Sequence, residues 1–137
     1  MTDSTLFSLA ASALNAQSVR LNTIASNMAN ADVPASSAAE AFRARLPVFR
    51  AQPDASLGNL SRVEVAGIVE SEAPARTRYQ PDHPLANDEG YVFLPNVNLI
   101  EQMTDMISAS RSYQANLEVM TTSKELMLQT LQLGQRG

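Results

Sequence analysis

Between Asn98 and Leu133 the chain carries neither glycine nor proline. Apolar residues recur there at helical spacing. Leu99, Met103, Met106, Tyr113, Leu117, Met120 and Leu131 share one face at about 100° per residue. Asn98, with Glu101 three residues on, has the layout of a capping box, and Gly134 is the expected stop. A continuous helix over this stretch is on the order of 50 Å long. A compact globule of 137 residues is roughly 37 Å across. The helix therefore outgrows any globule the chain can build alone.

The other end repeats the pattern. Residues 4 to 30 also lack glycine and proline, and Phe7, Leu14, Leu21 and Met28 form a row seven apart, with Ala10, Ile24 and Ala25 beside it. Asp3 or Ser4 is the expected cap, and the stop comes at Asn30-Ala31-Asp32-Val33-Pro34. At about 40 Å this helix is a partial companion to the longer one. All seven prolines lie between the two. The middle segment alternates at Val63, Val65 and Val69, with Gly67 weakening the strand or marking a bulge. A second strand is expected over Phe42 to Arg50, interrupted at Pro47, and a turn and short strand over Asn87 to Pro95. The expected product is a small hairpin or extended arm, with 35–40 and 53–59 as loops. The fold class is mainly α, two long terminal helices with a short β segment between them.

The long helix has a second apolar row. Val119, Leu126 and Leu133, again seven apart, fall on nearly the opposite face. One apolar face suits a two-helix monomer; two faces imply two partners. Burying both rows inside one small bundle needs more cover than two helices and a proline-broken segment provide. Self-association or assembly with relatives is the expected outcome. The amides fit this. Asn15 and Asn22, seven apart, line one side of the first apolar row, and Ser110, Gln114 and Asn116 fall along or beside the second helix's stripe. Uncharged polar groups are buried between helices when hydrogen-bonded, and in a helix seam they set register and partner choice.

Chemistry is sparse. His83 is the single histidine, with Asp82, Asp88 and Glu89 nearby, and one imidazole without spaced partners is weak evidence for a metal. There is no cysteine, and no nucleophile elbow, zinc-helix motif or phosphate loop. A net charge of −4 without a basic stripe argues against nucleic acid. Residues 75–79, "ARTRY", with Arg62, form a modest basic cluster suited to an acidic neighbour. Leu6 to Ala16 has the apolar character of a secretory signal core, yet its flank is acidic, and a cleaved signal is not expected. No run reaches the length of a membrane span.

Particular stretches carry a family likeness. "SALNAQSVRLNTIASNMANAD", residues 12–32, resembles the N-terminal signature of bacterial flagellar rod and hook proteins. Residues 90–135, opening "GYVFLPNVNLIEQM", are similar to the C-terminal region of the proximal-rod branch of that family, and "RVEVAGIVES", "YQPDHPLAN" and "FRARLPVF" resemble its middle. The resemblance implies a structural subunit of the basal-body rod and no enzyme, cofactor, small-molecule substrate or nucleic acid. The terminal helices, within 1–32 and 97–137, would pair as an antiparallel coiled coil forming a tubular core, with 33–96 as an outer arm. The rod would transmit torque across the periplasm and conduct exported subunits. Implied partners are copies of the chain, other rod proteins and the flagellar type III export apparatus, which takes subunits without a cleaved signal.

Carried onto this sequence, the resemblance and the periodicity place Leu14, Leu21, Ile24 and Met28 against Met106, Tyr113, Leu117 and Met120. Val119, Leu126 and Leu133 would face a neighbouring subunit. Asn15 and Asn22 belong to the seam, and Arg20, Arg111 and Glu118 are candidates for intersubunit ion pairs. A close sibling among the rod proteins, or a dimeric coiled-coil adaptor or export chaperone, remains the alternative.

Overall fold

Two helices, α1 (Thr2–Asn30) and α2 (Leu99–Arg136), occupy the chain ends in the computed structural model, which describes residues 2–137, with side chains from residue 4 onward. α1 ends where the asparagine- and proline-bearing stop predicts. Its start differs from expectation. The helix begins at Thr2, so Asp3 and Ser4 lie inside its first turn and do not precede it; the side chain of Asp3 is outside the described residues. α2 is capped by Asn98, whose side chain accepts from the N–H groups of Ile100 (3.1 Å) and Glu101 (3.2 Å). Gly134 does not stop it. The helix runs on to Arg136, because a glycine in a helix costs only about 1 kcal/mol and nothing in the last turn competes for its backbone.

The middle segment folds as two small antiparallel sheets. β1 (Arg45–Pro53) pairs with β2 (Ser61–Glu70). β1 passes through Pro47 without the expected interruption. In a two-stranded ribbon each strand has a free edge, where a proline's missing N–H is tolerated. Val48 faces Gly67 and Phe49 faces Val65, which leaves Ala66 as the extra residue of a bulge beside Gly67. The hairpin turns through Asp54 and a 3-10 turn (Ala55–Leu57). The Ser56 hydroxyl (2.6 Å) and N–H (2.9 Å), with Arg62 3.0 Å away, hold the Asp54 carboxyl below the usual carboxylate range. The hairpin folds back along α1, where the Val63 N–H donates to Ser12 Oγ (3.3 Å). It is a layer on the helix and not a free arm.

The second sheet pairs β3 (Arg76–Tyr79) with β4 (Tyr91–Leu94), and β4 is extended by a bridge from Phe93 to Ala35. β3 has no counterpart among the sequence expectations; four residues with two arginines show too little alternation to read as a strand. A small apolar core sits where α1 ends and α2 begins: Ala31, Ala44 and Val97 cluster with Phe42 packed on them, and Val92 and Leu94 of β4 are also buried. Two side chains tie this base together. Asn96 Oδ1 accepts from the Ala44 N–H (2.7 Å) while its amide donates to the Ala73 carbonyl (2.7 Å). The Arg76 guanidinium donates to the carbonyls of Pro95 and Ala31, each at 2.8 Å, and so satisfies backbone just past the end of α1.

Gly90, between the turn and β4, has a φ of 86°, and a Cβ there would lie 2.8 Å from Tyr79 Cε2 and 3.2 Å from Pro81 Cβ. The Gly90→Ala variant is expected to lose about 2 kcal/mol, from the left-handed backbone and the clash together. Thermal unfolding measures it; an unchanged midpoint would remove the backbone requirement.

Candidate assembly surfaces

α1 and α2 pack antiparallel. Asn27 meets Gln102, and Arg20 lies 4.0 Å from Asp105. A groove between the helices and β2 brings Leu9, Ser12 and Ala13 beside Asn116 and Val119. Rising numbers on one helix thus meet falling numbers on the other.

The residues at the centre of this seam are small or polar. α2 buries Gln102, Ala109 and Ser123, with Asn116 half-buried between them, a row seven residues apart. α1 buries Ala10, Ala16, Thr23, Ile24 and Asn27. Of the expected partners on α2, Met106, Tyr113 and Met120 are half-buried; each stands four residues beyond a member of the buried row and flanks it. Leu117 is exposed. On α1, Ile24 is buried while Leu14, Leu21 and Met28 are half-buried at the seam's edge. The large apolar side chains therefore border the contact. Its centre is taken mainly by small or hydrogen-bonded polar residues, while the hairpin covers α1 from another side.

The amides sort differently from the sequence expectation. Asn15 and Asn22 are exposed in this chain, pointing away from α2 and the hairpin. Asn27 is the buried one, at 1% exposure. Its Oδ1 accepts from the Arg45 N–H (2.9 Å), and its amide donates to the Arg45 carbonyl (2.9 Å) and to Gln102 Oε1 (3.1 Å). One side chain thus pairs with the first residue of β1 as a neighbouring strand would, and holds α2 as well. Nothing in the spacing distinguishes Asn27 from the other asparagines of α1; its position one turn before the helix end, where the chain doubles back, was the available signal.

Large apolar side chains of α2 also stand exposed, Val119 at the rim of the groove against α1 and β2. Val119, Leu126 and Leu133 are exposed, as are Leu128 and Leu131. Arg111 and Glu118 stand exposed on α2. The expected basic cluster is divided. Arg76 is committed to backbone carbonyls, Arg78 lies 3.6 Å from Asp32, and Arg62 pairs with Asp54 at the hairpin tip. His83 Nδ1 accepts from the Leu85 N–H (3.0 Å), a local turn contact, and no group of metal-ligating side chains occurs among the described residues. No helix among the described residues is long and apolar enough to cross a membrane.

The chain matches known proteins over nearly its full length. Residues 7–34 match the family described as flagella basal body rod protein, and residues 88–133 match that described as flagellar basal body rod FlgEFG protein C-terminal. The flagellar basal-body rod protein FlgC of Yersinia enterocolitica is 52% identical over 132 residues, covering 95% of this chain and 96% of the relative. FlgC of Salmonella typhimurium is 50% identical over 131 residues, with the same coverage. FlgC of Aquifex aeolicus is 38% identical over 125 residues, 90% of this chain and 91% of the relative.

Proposed function

The chain belongs to the FlgC family of flagellar basal-body rod proteins, and from that premise we propose how this structural subunit assembles and what the assembly does. The terminal helices pair as an antiparallel coiled coil. Copies of the chain and related rod subunits pack side by side into a tube, with segments 1–32 and 97–137 forming its core and 33–96 the outer layer. Leu14, Leu21, Ile24 and Met28, with Met106, Tyr113, Leu117 and Met120, form the seam within and between subunits. Val119, Leu126 and Leu133 face a neighbour. Asn15, Asn22, Arg111 and Glu118 make polar contacts across subunit boundaries, whereas Arg20, expected among them, pairs with Asp105 of its own chain. Such a tube transmits torque across the periplasm and passes later subunits through its channel, each delivered by the flagellar type III export apparatus.

The observation that carries this reading is the uncovered apolar surface of α2, from Leu117 at 45% exposure to Leu133 at 71%. Exposed apolar patches of this extent mark interaction surfaces, and a helix apolar on two faces is one meant to be surrounded.

Complementation tests the reading. In cells lacking the gene, a tagged copy is expected to restore swimming and to co-purify with detergent-extracted basal bodies. Restored swimming with the tag confined to a soluble dimer would instead identify an adaptor or export chaperone.

A further inference from the structure

Toward its C-terminal end α2 becomes progressively exposed, with Met127 the last half-buried residue. Ser123 is the last buried residue, and Leu126, Leu128, Leu131 and Leu133 beyond it are all exposed. At about 100° per residue, Leu128 and Leu131 point to one side and Leu126 and Leu133 to the other. Residues 126–133, "LMLQTLQL", contain no charge. Among the described residues, none covers these leucines.

An apolar wall lies at the opposite end of the same helix. Ala73, Pro74, Val97, Leu99 and Ile100 line an open groove of about 450 Å³ beside the start of α2. Ile100 is 77% exposed there, the most open large apolar residue of the chain's described part. The groove's one charged side chain, Arg76, donates to the carbonyls of Ala31 and Pro95 and keeps its positive charge, which suits the negative C-terminal end of a helix dipole. α2 has 38 residues, about 57 Å of helix, and no chain fills its own groove across that length.

We infer that this groove receives the leucine-bearing C-terminal tip of α2 from the next rod subunit along the axis. The inference rests on the rod reading above and deepens it by naming which surface meets which. A tip-to-base contact is heterologous: it joins two different patches, does not close on itself, and stacks subunits in a line. Its polarity is favourable. The C-terminal end of one helix macrodipole, with Arg136 in its last turn, approaches the N-terminal end of the next, with Glu101 in its first turn. Apolar walls meet apolar leucines, and the end charges are opposite.

Photo-crosslinking in assembled rods tests it. With p-benzoylphenylalanine at Ile100, the crosslink is expected to join residue 100 to the C-terminal tip of a rod subunit, at or equivalent to residues 126–133. With the probe moved to Leu133, it is expected to join that residue to a 73–100 segment. Adding Leu131→Asp to the Ile100 probe chain and its partners should eliminate the crosslink. Crosslinks from both probes to hairpin residues, to α1, or to a protein that is not a rod component would overturn the inference. So would the absence of any product from both probes in motile cells. In each of those cases swimming persists and the rod assignment stands. If instead the tagged chain is missing from basal bodies, the rod assignment itself fails.

Discussion

Replacing Leu126 with aspartate is expected to abolish rod assembly and swimming while leaving the subunit folded and exported. Leu126 is 44% exposed on α2, just past the last buried residue of that helix, so the substitution touches no packed interior. Surface changes of this kind shift stability by about 0.5 kcal/mol or less. In an assembly the same position is covered. The contact then loses about 2 kcal/mol of leucine burial and must also desolvate a carboxylate. A combined loss of about 4 kcal/mol per contact weakens association roughly a thousandfold, and the loss recurs at every subunit boundary. The expected phenotype is export without rods, with the variant's circular dichroism unchanged. Normal swimming of the Leu126→Asp strain would sink the proposal that Val119, Leu126 and Leu133 face a neighbour.

A second large effect is expected at the base of the molecule, within one chain. Asn27→Ala removes three hydrogen bonds that hold the first residue of β1 and Gln102 of α2 to α1. Polar groups left enclosed without partners cost about 1–3 kcal/mol each, less where water reaches them. The Arg45 backbone is partly open to solvent and Gln102 is not, so a loss of about 2–3 kcal/mol is expected in all. Hydrogen exchange reads this locally. The Arg45 amide should exchange about thirty- to a hundredfold faster in the variant. Asn15→Ala and Asn22→Ala, at exposed positions of the same helix, should leave it within about twofold. Equal effects at all three positions would mean that Asn27 has no special part in joining the hairpin to the helices.

These two tests divide along a line that also separates what could be read from the sequence. The two helices were legible because 4–30 and 98–133 exclude glycine and proline and keep a seven-residue apolar repeat. Their ends were legible where chemistry marks them, at Asn98 and at the asparagine-proline stop after α1. So was the excess of apolar surface over available cover, which follows from comparing a helix length with a globule's diameter. The bulge beside Gly67 was legible for a similar reason: a glycine inside an alternating run has a local meaning.

The centre of the seam was not legible. Periodicity identifies which residues share a face, and hydrophobicity then favours the face with Leu, Met and Tyr. The contact instead centres on Gln102, Ala109, Asn116 and Ser123, a row that is polar or small and that a ranking by hydrophobicity passes over. Asn27 escaped notice for the same reason. Its partners are backbone atoms of residue 45 and a side chain at residue 102, and no local pattern encodes contacts that distant. β3 was missed because its pairing with β4 and the carbonyls awaiting Arg76 exist only once the chain has closed.

The sequence by itself determined two long helices, a short β segment between them, and a demand for outside partners; each follows from composition and spacing along one line of residues. Only the tertiary structure decided which side chains meet, that the hairpin lies on α1, and which end of α2 is left without walls. Those depend on distances between residues far apart in the chain, and periodicity carries no information about them.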